Sequence, residues 1–152
     1  MNAEFTGNVS ELVRLLLDQR VQYRKLQSLT QRQKTLIVDD DPQALLGLLS
    51  ERQRVVDELT SINTRLAPYR RQWTRVYETL DHATRDEVKE LLEESNALLS
   101  SIMSSDRDDV EMLRTRRQVA ADSLSQTRVA GRAVAAYGSS ANTAAVMAEA
   151  SA

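Results

Sequence analysis

The chain has 152 residues and no cysteine, with 4% aromatic residues, four glycines and two prolines. Charged residues make up 28% of it and nearly cancel, leaving a formal net charge of −2. This composition excludes disulfide frameworks, thiolate metal sites and a cysteine nucleophile, and it offers no large basic field for nucleic acid. It also suits helices far better than sheets, which need aromatic and β-branched residues.

The first predicted element is an amphipathic helix. Apolar residues recur at intervals of three and four from Val9 to Val38, and Gln19, Thr30 and Gln33 fill the remaining positions of that stripe. Asp41 and Pro42 then favour a new helix, since Asp is a good N-cap and Pro fits the first turn. The short connection predicts an antiparallel helical hairpin.

The second predicted helix is interrupted once. Its apolar stripe runs from Leu45 to Leu66, Pro68 predicts a kink or a short break, and the stripe resumes in phase from Tyr69 to Leu80. A turn follows at residues 81–83. Beyond it, Thr84 and Glu87 have the spacing of a capping box, which predicts the start of a third helix.

The third predicted helix is long and ends at Gly138, a residue typical of helix ends. Ser and Asp compete for backbone hydrogen bonds around Ser104–Ser105, so this is where we expect a break if there is one. The resulting prediction is an all-α fold, an elongated antiparallel hairpin plus a long third helix resembling a coiled-coil three-helix bundle. Residues 1–138 would form one domain, and residues 139–152, rich in Ala and Ser, a flexible, disordered tail.

A register estimate locates a candidate binding surface. Folding straight helices back at the two turns joins residues 9–38, 42–71 and 94–123 into a three-helix body. Residues 72–93 then form a two-helix extension, and residues 124–137 lack a neighbour while carrying an apolar stripe. An uncovered stripe favours a partner helix. The alternatives are a bend that returns this end to the body, or pairing of two copies. The predicted partner-binding residues are Leu113, Leu124, Ala130, Ala133, Val134 and Tyr137.

Catalytic and metal-binding patterns are weak in this sequence. His82 is the only histidine and has no ligand or nucleophile at motif spacing. Asp106, Asp108 and Asp109 lack the glycine and final Glu of a calcium loop. Tyr69, Trp73 and Tyr77 are one helical turn apart and are more typical of packing between helices than of a ligand site. We expect no enzyme activity, no cofactor, no metal and no nucleic-acid binding.

Several stretches resemble a known family. They are Leu16, Gln19, Tyr23, Leu26, Leu29, Gln33, Ile37 and Asp40 in the first helix, Leu45, Leu48, Leu49, Arg52, Gln53 and Leu59 in the second, and Ile102, Asp106, Asp109, Leu113 and the pair Tyr137-Gly138 in the third. With these residues the chain resembles flagellar export chaperones of the FlgN type over about residues 9–138.

The resemblance implies a cytoplasmic chaperone for type III flagellar export. Such a protein binds the helical terminal segment of hook-associated (hook–filament junction) proteins, prevents premature assembly and delivers its clients to the export gate. The implied client-binding region maps onto Leu113–Tyr137, and Tyr137 with Gly138 matches a pair implicated in export-gate contact. The Ala-rich sequence after Gly138 departs from the family. The alternative is a homo-oligomeric coiled-coil scaffold without a secreted client. No apolar run is long enough for membrane insertion, so we expect a cytoplasmic location.

Overall fold

The computed structural model describes the backbone of residues 8–151 and the side chains of residues 8–136. Four helices account for nearly all of this backbone: α1 (Val9–Val38), α2 (Pro42–Arg71), α3 (Trp73–Thr79) and α4 (His82–Ser151). No strand occurs within the described backbone. The all-α prediction is therefore confirmed.

The turn between α1 and α2 is built as the sequence predicts. Helix α1 spans Val9–Val38, and Asn8 caps it by accepting a hydrogen bond from the Ser10 amide at 2.8 Å. Asp41 caps α2 by accepting from the Ala44 amide at 3.1 Å, with Pro42 in the first turn. Asp40 takes the left-handed conformation, with φ of 53°, which aspartate adopts more readily than most residues.

Helix α2 continues through Pro68 and ends at Arg71, about one turn later than the predicted interruption. The break lies at Gln72, with φ −116° and ψ 31°, and α3 begins at Trp73. A proline removes its own amide donor and crowds the preceding turn, which destabilises a helix interior. Pro68 lies only three residues before the end of α2, so few helical residues follow the disturbed turn.

The predicted capping box is wrong, because α4 starts at His82. The Asp81 carboxylate accepts a hydrogen bond from the Thr84 amide at 2.7 Å, so Asp81 is the capping residue and Thr84 lies inside the helix. The Thr84 side chain chiefly, together with the Thr84 amide, lowers the pKa of Asp81, because both hydrogen bonds favour the charged carboxylate.

Helix α4 is unbroken at Ser104–Ser105, and it does not end at Gly138 but continues to Ser151. The predicted helix end is wrong, and so is the irregular backbone expected for residues 139–151. Residues 139–151 contain five alanines, the best helix former, and no glycine. That residues 139–152 form a separate flexible tail stays a prediction.

The chain separates into two compact units, Met1–Asp109 and Val110–Ala152. In the first unit, the larger buried cluster joins the N-terminal half of α1 to residues from α2, α3 and α4. Its members are Leu12, Leu15, Leu16, Ile62, Leu66, Tyr69, Val76, Leu80, Val88 and Leu91. A smaller cluster contains Tyr23, Leu26, Leu59 and Ile102.

The larger cluster overturns the predicted two-helix extension over residues 72–93. Val76, Leu80 and Val88 are buried with Leu12 and Leu16, so α3 and the start of α4 pack on α1. The chain is redirected at Gln72, which the register estimate treated as part of a straight helix. The buried side chains of α4 consequently lie between Val88 and Asp109. The register estimate had placed the packed part of this helix at residues 94–123.

Polar side chains also link the helices of the first unit. Gln19 donates to Asn63 at 2.9 Å, joining α1 to α2. Arg20 and Arg24 both bind the Glu94 carboxylate, joining α1 to α4, with the Arg20 Nη1 to Glu94 Oε2 distance at 3.2 Å. The Arg24 contact chiefly, together with that from Arg20, lowers the pKa of Glu94. No helix in the described part of the chain is both long and apolar enough to cross a membrane.

Candidate partner-binding helix

The second unit presents a solvent-exposed helical segment. From Val110 to Ala136 every side chain is exposed except that of Met112, which is half-buried. The larger exposed apolar residues in this segment are Val110, Leu113, Val119, Leu124, Val129 and Val134. Exposed apolar side chains in this number on one helix favour coverage by another surface.

Five of the predicted partner-binding residues lie in this described segment. Leu113 is 44% exposed, Leu124 52% and Val134 71%, and Ala130 and Ala133 are exposed as well. The Tyr137 side chain lies outside the described residues. The exposed stretch begins at Val110, earlier than residue 124, because the last buried side chain of α4 within the first unit is Asp109.

The predicted residues do not form one stripe. Leu113 and Leu124 are eleven positions apart, close to three full turns, and therefore share a face. Ala133 lies nine positions after Leu124, which is two and a half turns and places it on the opposite side. A heptad count places Leu113, Leu124 and Val134 on one seam and leaves Ala130 beside it. A single straight partner helix would contact that seam and miss Ala133.

We call this seam the 110–134 seam. It consists of the a and d positions of the heptad count, namely Val110, Leu113, Arg117, Ala120, Leu124, Thr127, Gly131 and Val134. Its small residues let a second backbone approach closely, and a Cβ atom placed on Gly131 would have nothing within 4 Å. The seam can therefore receive a partner side chain at Gly131 without rearrangement.

Charge is unevenly distributed along the chain. Residues 110–136 hold five arginines and two carboxylates, whereas residues 1–109 hold 15 basic and 19 acidic side chains. Glu111 pairs with Arg114 at 3.3 Å, and Asp122 accepts a hydrogen bond from Gln118 at 2.9 Å. Both carboxylates thus bind side chains of their own helix, and Arg114, the partner of Glu111, lies beside the seam.

A polar network in the first unit involves the residues of α4 that immediately precede Val110. Arg52 of α2 donates to both Asp106 carboxylate oxygens, at 2.7 and 2.8 Å, and to Gln33 Oε1 of α1 at 2.8 Å. Gln33 in turn donates to Asp109, which is 1% exposed, at 2.9 Å. The Asp106 carboxylate raises the pKa of Arg52, outweighing the opposite effect of burial. Three helices are fixed together at this point.

The sequence interpretation missed this network. The sequence places Arg52 only within the family resemblance, Asp106 there and in an acidic cluster, and Gln33 there and in an apolar stripe, and it indicates no contact between them. The detectable signal was that Gln33, Asp106 and Asp109 occupy or flank stripe positions where leucine is expected. A buried polar group requires a partner, so such residues indicate a shared polar layer.

Other candidate sites have structural explanations. His82 lies 3.8 Å from Asp86 on an exposed surface. Tyr69 is buried, Trp73 packs on the larger cluster, and Tyr77 stacks against the Arg85 guanidinium at 4.9 Å. A cavity of about 110 Å³ lies among Leu12, Leu66 and Trp73. Among the side chains that the structure describes, no group of three His, Asp or Glu is arranged to hold a metal ion.

Comparisons with protein-family models, with curated proteins and with solved structures find no match to this chain.

Proposed function

We propose that the protein is a cytoplasmic flagellar export chaperone of the FlgN type. It binds the helical terminal segment of hook-associated proteins, keeps them from assembling prematurely and delivers them to the export gate. The observation that carries this proposal is the segment from Val110 to Ala136, a helix with exposed apolar side chains that belongs to none of the buried clusters of the first unit.

The physical basis is mutual coverage of two helices. An isolated amphipathic helix is marginally stable in water, and most helical stability comes from packing an apolar face. Burying the exposed half of Leu113 or Leu124 contributes about 1 kcal/mol each, taking half of the value for a fully buried leucine. A client helix gains similarly and is no longer free to polymerise with its own kind.

The proposed arrangement has two functional parts. The first unit is a coiled-coil-like three-helix body whose helices are joined through Arg52, Asp106 and Asp109. The second unit carries the client site. Tyr137 and Gly138 form the proposed contact with client or export gate, on the strength of the family resemblance alone.

A neutral double substitution tests this proposal. Leu113→Gln with Leu124→Gln removes the two largest apolar side chains of the 110–134 seam while changing neither charge nor helix propensity much. The matched control is Leu46→Gln with Leu49→Gln, two similarly exposed leucines of the first unit. Each form is co-expressed with a hook-associated protein from the same genome and the complex is purified by affinity and size exclusion.

The expected result is a stoichiometric complex with the parent chain and with the control, and loss of at least about tenfold in affinity, or roughly 1.4 kcal/mol, for the seam variant. Equal retention of the client by the parent, control and seam variants would show that the client binds elsewhere. Absence of any complex with every hook-associated protein would refute the chaperone proposal.

A further inference from the structure

Within residues 110–136, the charged residues at the positions that flank the 110–134 seam are all arginines. In the heptad count the positions flanking the seam are residues 114, 116, 121, 123, 128, 130 and 135. Three of them are arginine, Arg114, Arg116 and Arg128, the others are Ala or Ser, and a further arginine, Arg117, lies on the seam itself. Arg114 is paired with Glu111 at 3.3 Å, so Arg117 and Arg128 contribute most to the charge beside the seam. The two carboxylates, Glu111 and Asp122, fall on the outer positions.

From this arrangement we propose that the partner of the seam is an acidic helix, with Asp or Glu flanking its own apolar positions. The inference rests on the proposed function, since the same segment is the client site, and it adds the chemistry by which a client would be selected. Flanking positions of paired helices set partner choice by forming ion pairs across the interface. Arginine suits this task because its planar guanidinium binds a carboxylate through two parallel hydrogen bonds.

The same charges disfavour pairing of two copies. In an antiparallel pair the flanking positions of one copy face the same positions of the other, which would place arginine opposite arginine. In a parallel pair, Arg117 of both copies would meet on the seam. Like charges across a helical interface are destabilising and act against the wrong partner. A homo-oligomeric scaffold joined through this seam is therefore the less favourable arrangement.

An anionic membrane surface is also attracted by arginine, but the apolar side of this segment is poorly suited to it. Interfacial helices use bulky residues such as Trp, Phe and Leu. Between Val110 and Ala136 there is no aromatic residue and only two leucines, which are separated on the seam by Arg117 and Ala120. Such a narrow, small-residue seam fits another helix better than a lipid layer.

The test uses two defined peptides and the full chain. Both peptides have about four heptads with Leu and Ile on the seam positions; one has Glu at every flanking position and the other has Lys. Each peptide is repelled by its own copies, so both are presented as free chains. Binding is measured by fluorescence anisotropy at low salt and again at about 0.5 M salt, where screening is strong.

Charge reversal on the chain supplies the matched variants. Arg117→Glu with Arg128→Glu changes the seam and its flank, whereas Lys25→Glu with Arg54→Glu makes the same change of charge on exposed residues of the first unit. The parent chain is expected to bind the Glu peptide at least about tenfold tighter than the Lys peptide, roughly 1.4 kcal/mol. The seam reversal should abolish this preference, because Arg114 and Arg116 remain to balance the two new carboxylates; the control should retain it, and high salt should weaken it.

Each other outcome has a definite meaning. Equal binding of both peptides, or preference for the Lys peptide, would overturn the charge inference while leaving helix capture intact. Failure to bind either peptide would overturn both the inference and the proposed client site. Self-association of the full chain that the seam reversal alters, or binding to vesicles of anionic but not of neutral lipid, would identify a second copy or a membrane as the occupant and would overturn the inference.

Discussion

Replacing Arg52 of α2 should lower the free energy of unfolding of the first unit far more than replacing Arg32, an exposed arginine of α1. The Arg52 side chain is 15% exposed and makes two contacts to Asp106, at 2.7 and 2.8 Å, and one to Gln33 at 2.8 Å. In Arg52→Met the apolar stem is kept, but Asp106 loses its cation and the hydrogen-bonded pair of Gln33 and Asp109 loses its neighbouring positive charge.

The magnitude follows from the burial of the pair. Breaking a fully buried ion pair costs about 3–5 kcal/mol, and since Asp106 is 35% exposed, water offsets part of this, leaving about 2 kcal/mol. For a unit of this size that corresponds to a fall in melting temperature of about 10 °C. The control, Arg32→Met, removes an ion pair to Glu51 whose two side chains are 60% and 54% exposed, and should cost less than about 1 kcal/mol.

Urea unfolding followed by circular dichroism measures both variants and the double variant Arg52→Met with Asp106→Asn. The double variant should recover part of the loss, because no carboxylate is then left without its cation. Equal losses for Arg52→Met and Arg32→Met would refute the reasoning, as would a further large loss in the double variant.

Three further predictions concern pH, chain length and Tyr137. Arg24 and Arg20 lower the pKa of Glu94 from its ordinary value of 4.5, so on acidification the unfolded chain is protonated at this residue before the folded chain, and stability falls as the pH drops below that value. Glu94→Gln should therefore flatten the acidic part of a curve of melting temperature against pH. An unchanged slope would count against a stabilising role of these ion pairs. Truncation after Ser123 removes no side chain described as buried and should leave the melting temperature of the first unit within a few degrees, whereas global unfolding would place the end of α4 in the core. Tyr137→Ala should reduce client retention or secretion with little change in melting temperature; a large loss of stability with binding preserved would assign this residue to folding.

The features that could be predicted from the sequence are local ones. The bounds of α1 and the Asp41–Pro42 start of α2 depend on a single stripe and on side chains capping their own backbone. These signals are complete within a few residues of sequence, so one chain suffices to read them.

The features that were missed depend on contacts between distant residues. The interruption at Gln72 is a small local change, yet it moves Val76 and Leu80 onto α1 and shifts the whole register of α4. The partners of Arg52 lie on two other helices, so its sequence neighbours do not reveal them. At Gly138 a typical helix-ending residue is overridden by the alanines that follow.

The sequence predicts an exposed apolar stretch in the second half of α4, but not which of its residues share a face. Leu113, Leu124 and Val134 are exposed on one heptad seam, in agreement with the expectation of an uncovered apolar stretch. The predicted stripe that starts at Ala130 includes Ala133, which lies nine positions after Leu124 and therefore on the opposite side of the helix. The predicted stripe and the seam through the leucines are thus different faces of the helix. The positions that flank the seam can be assigned only after the seam itself is identified, so the sequence prediction did not single out these arginines.

The central claim is that this helix captures a client helix through the 110–134 seam. Isothermal titration of the full chain with the terminal helical segment of a hook-associated protein from the same genome tests it most directly. We predict a complex of one chain with one segment, with micromolar or tighter affinity, lost in Leu113→Gln with Leu124→Gln and retained in Leu46→Gln with Leu49→Gln. Binding that both double variants retain equally, or no heat of binding with the terminal segment of any hook-associated protein of that genome, would contradict the claim.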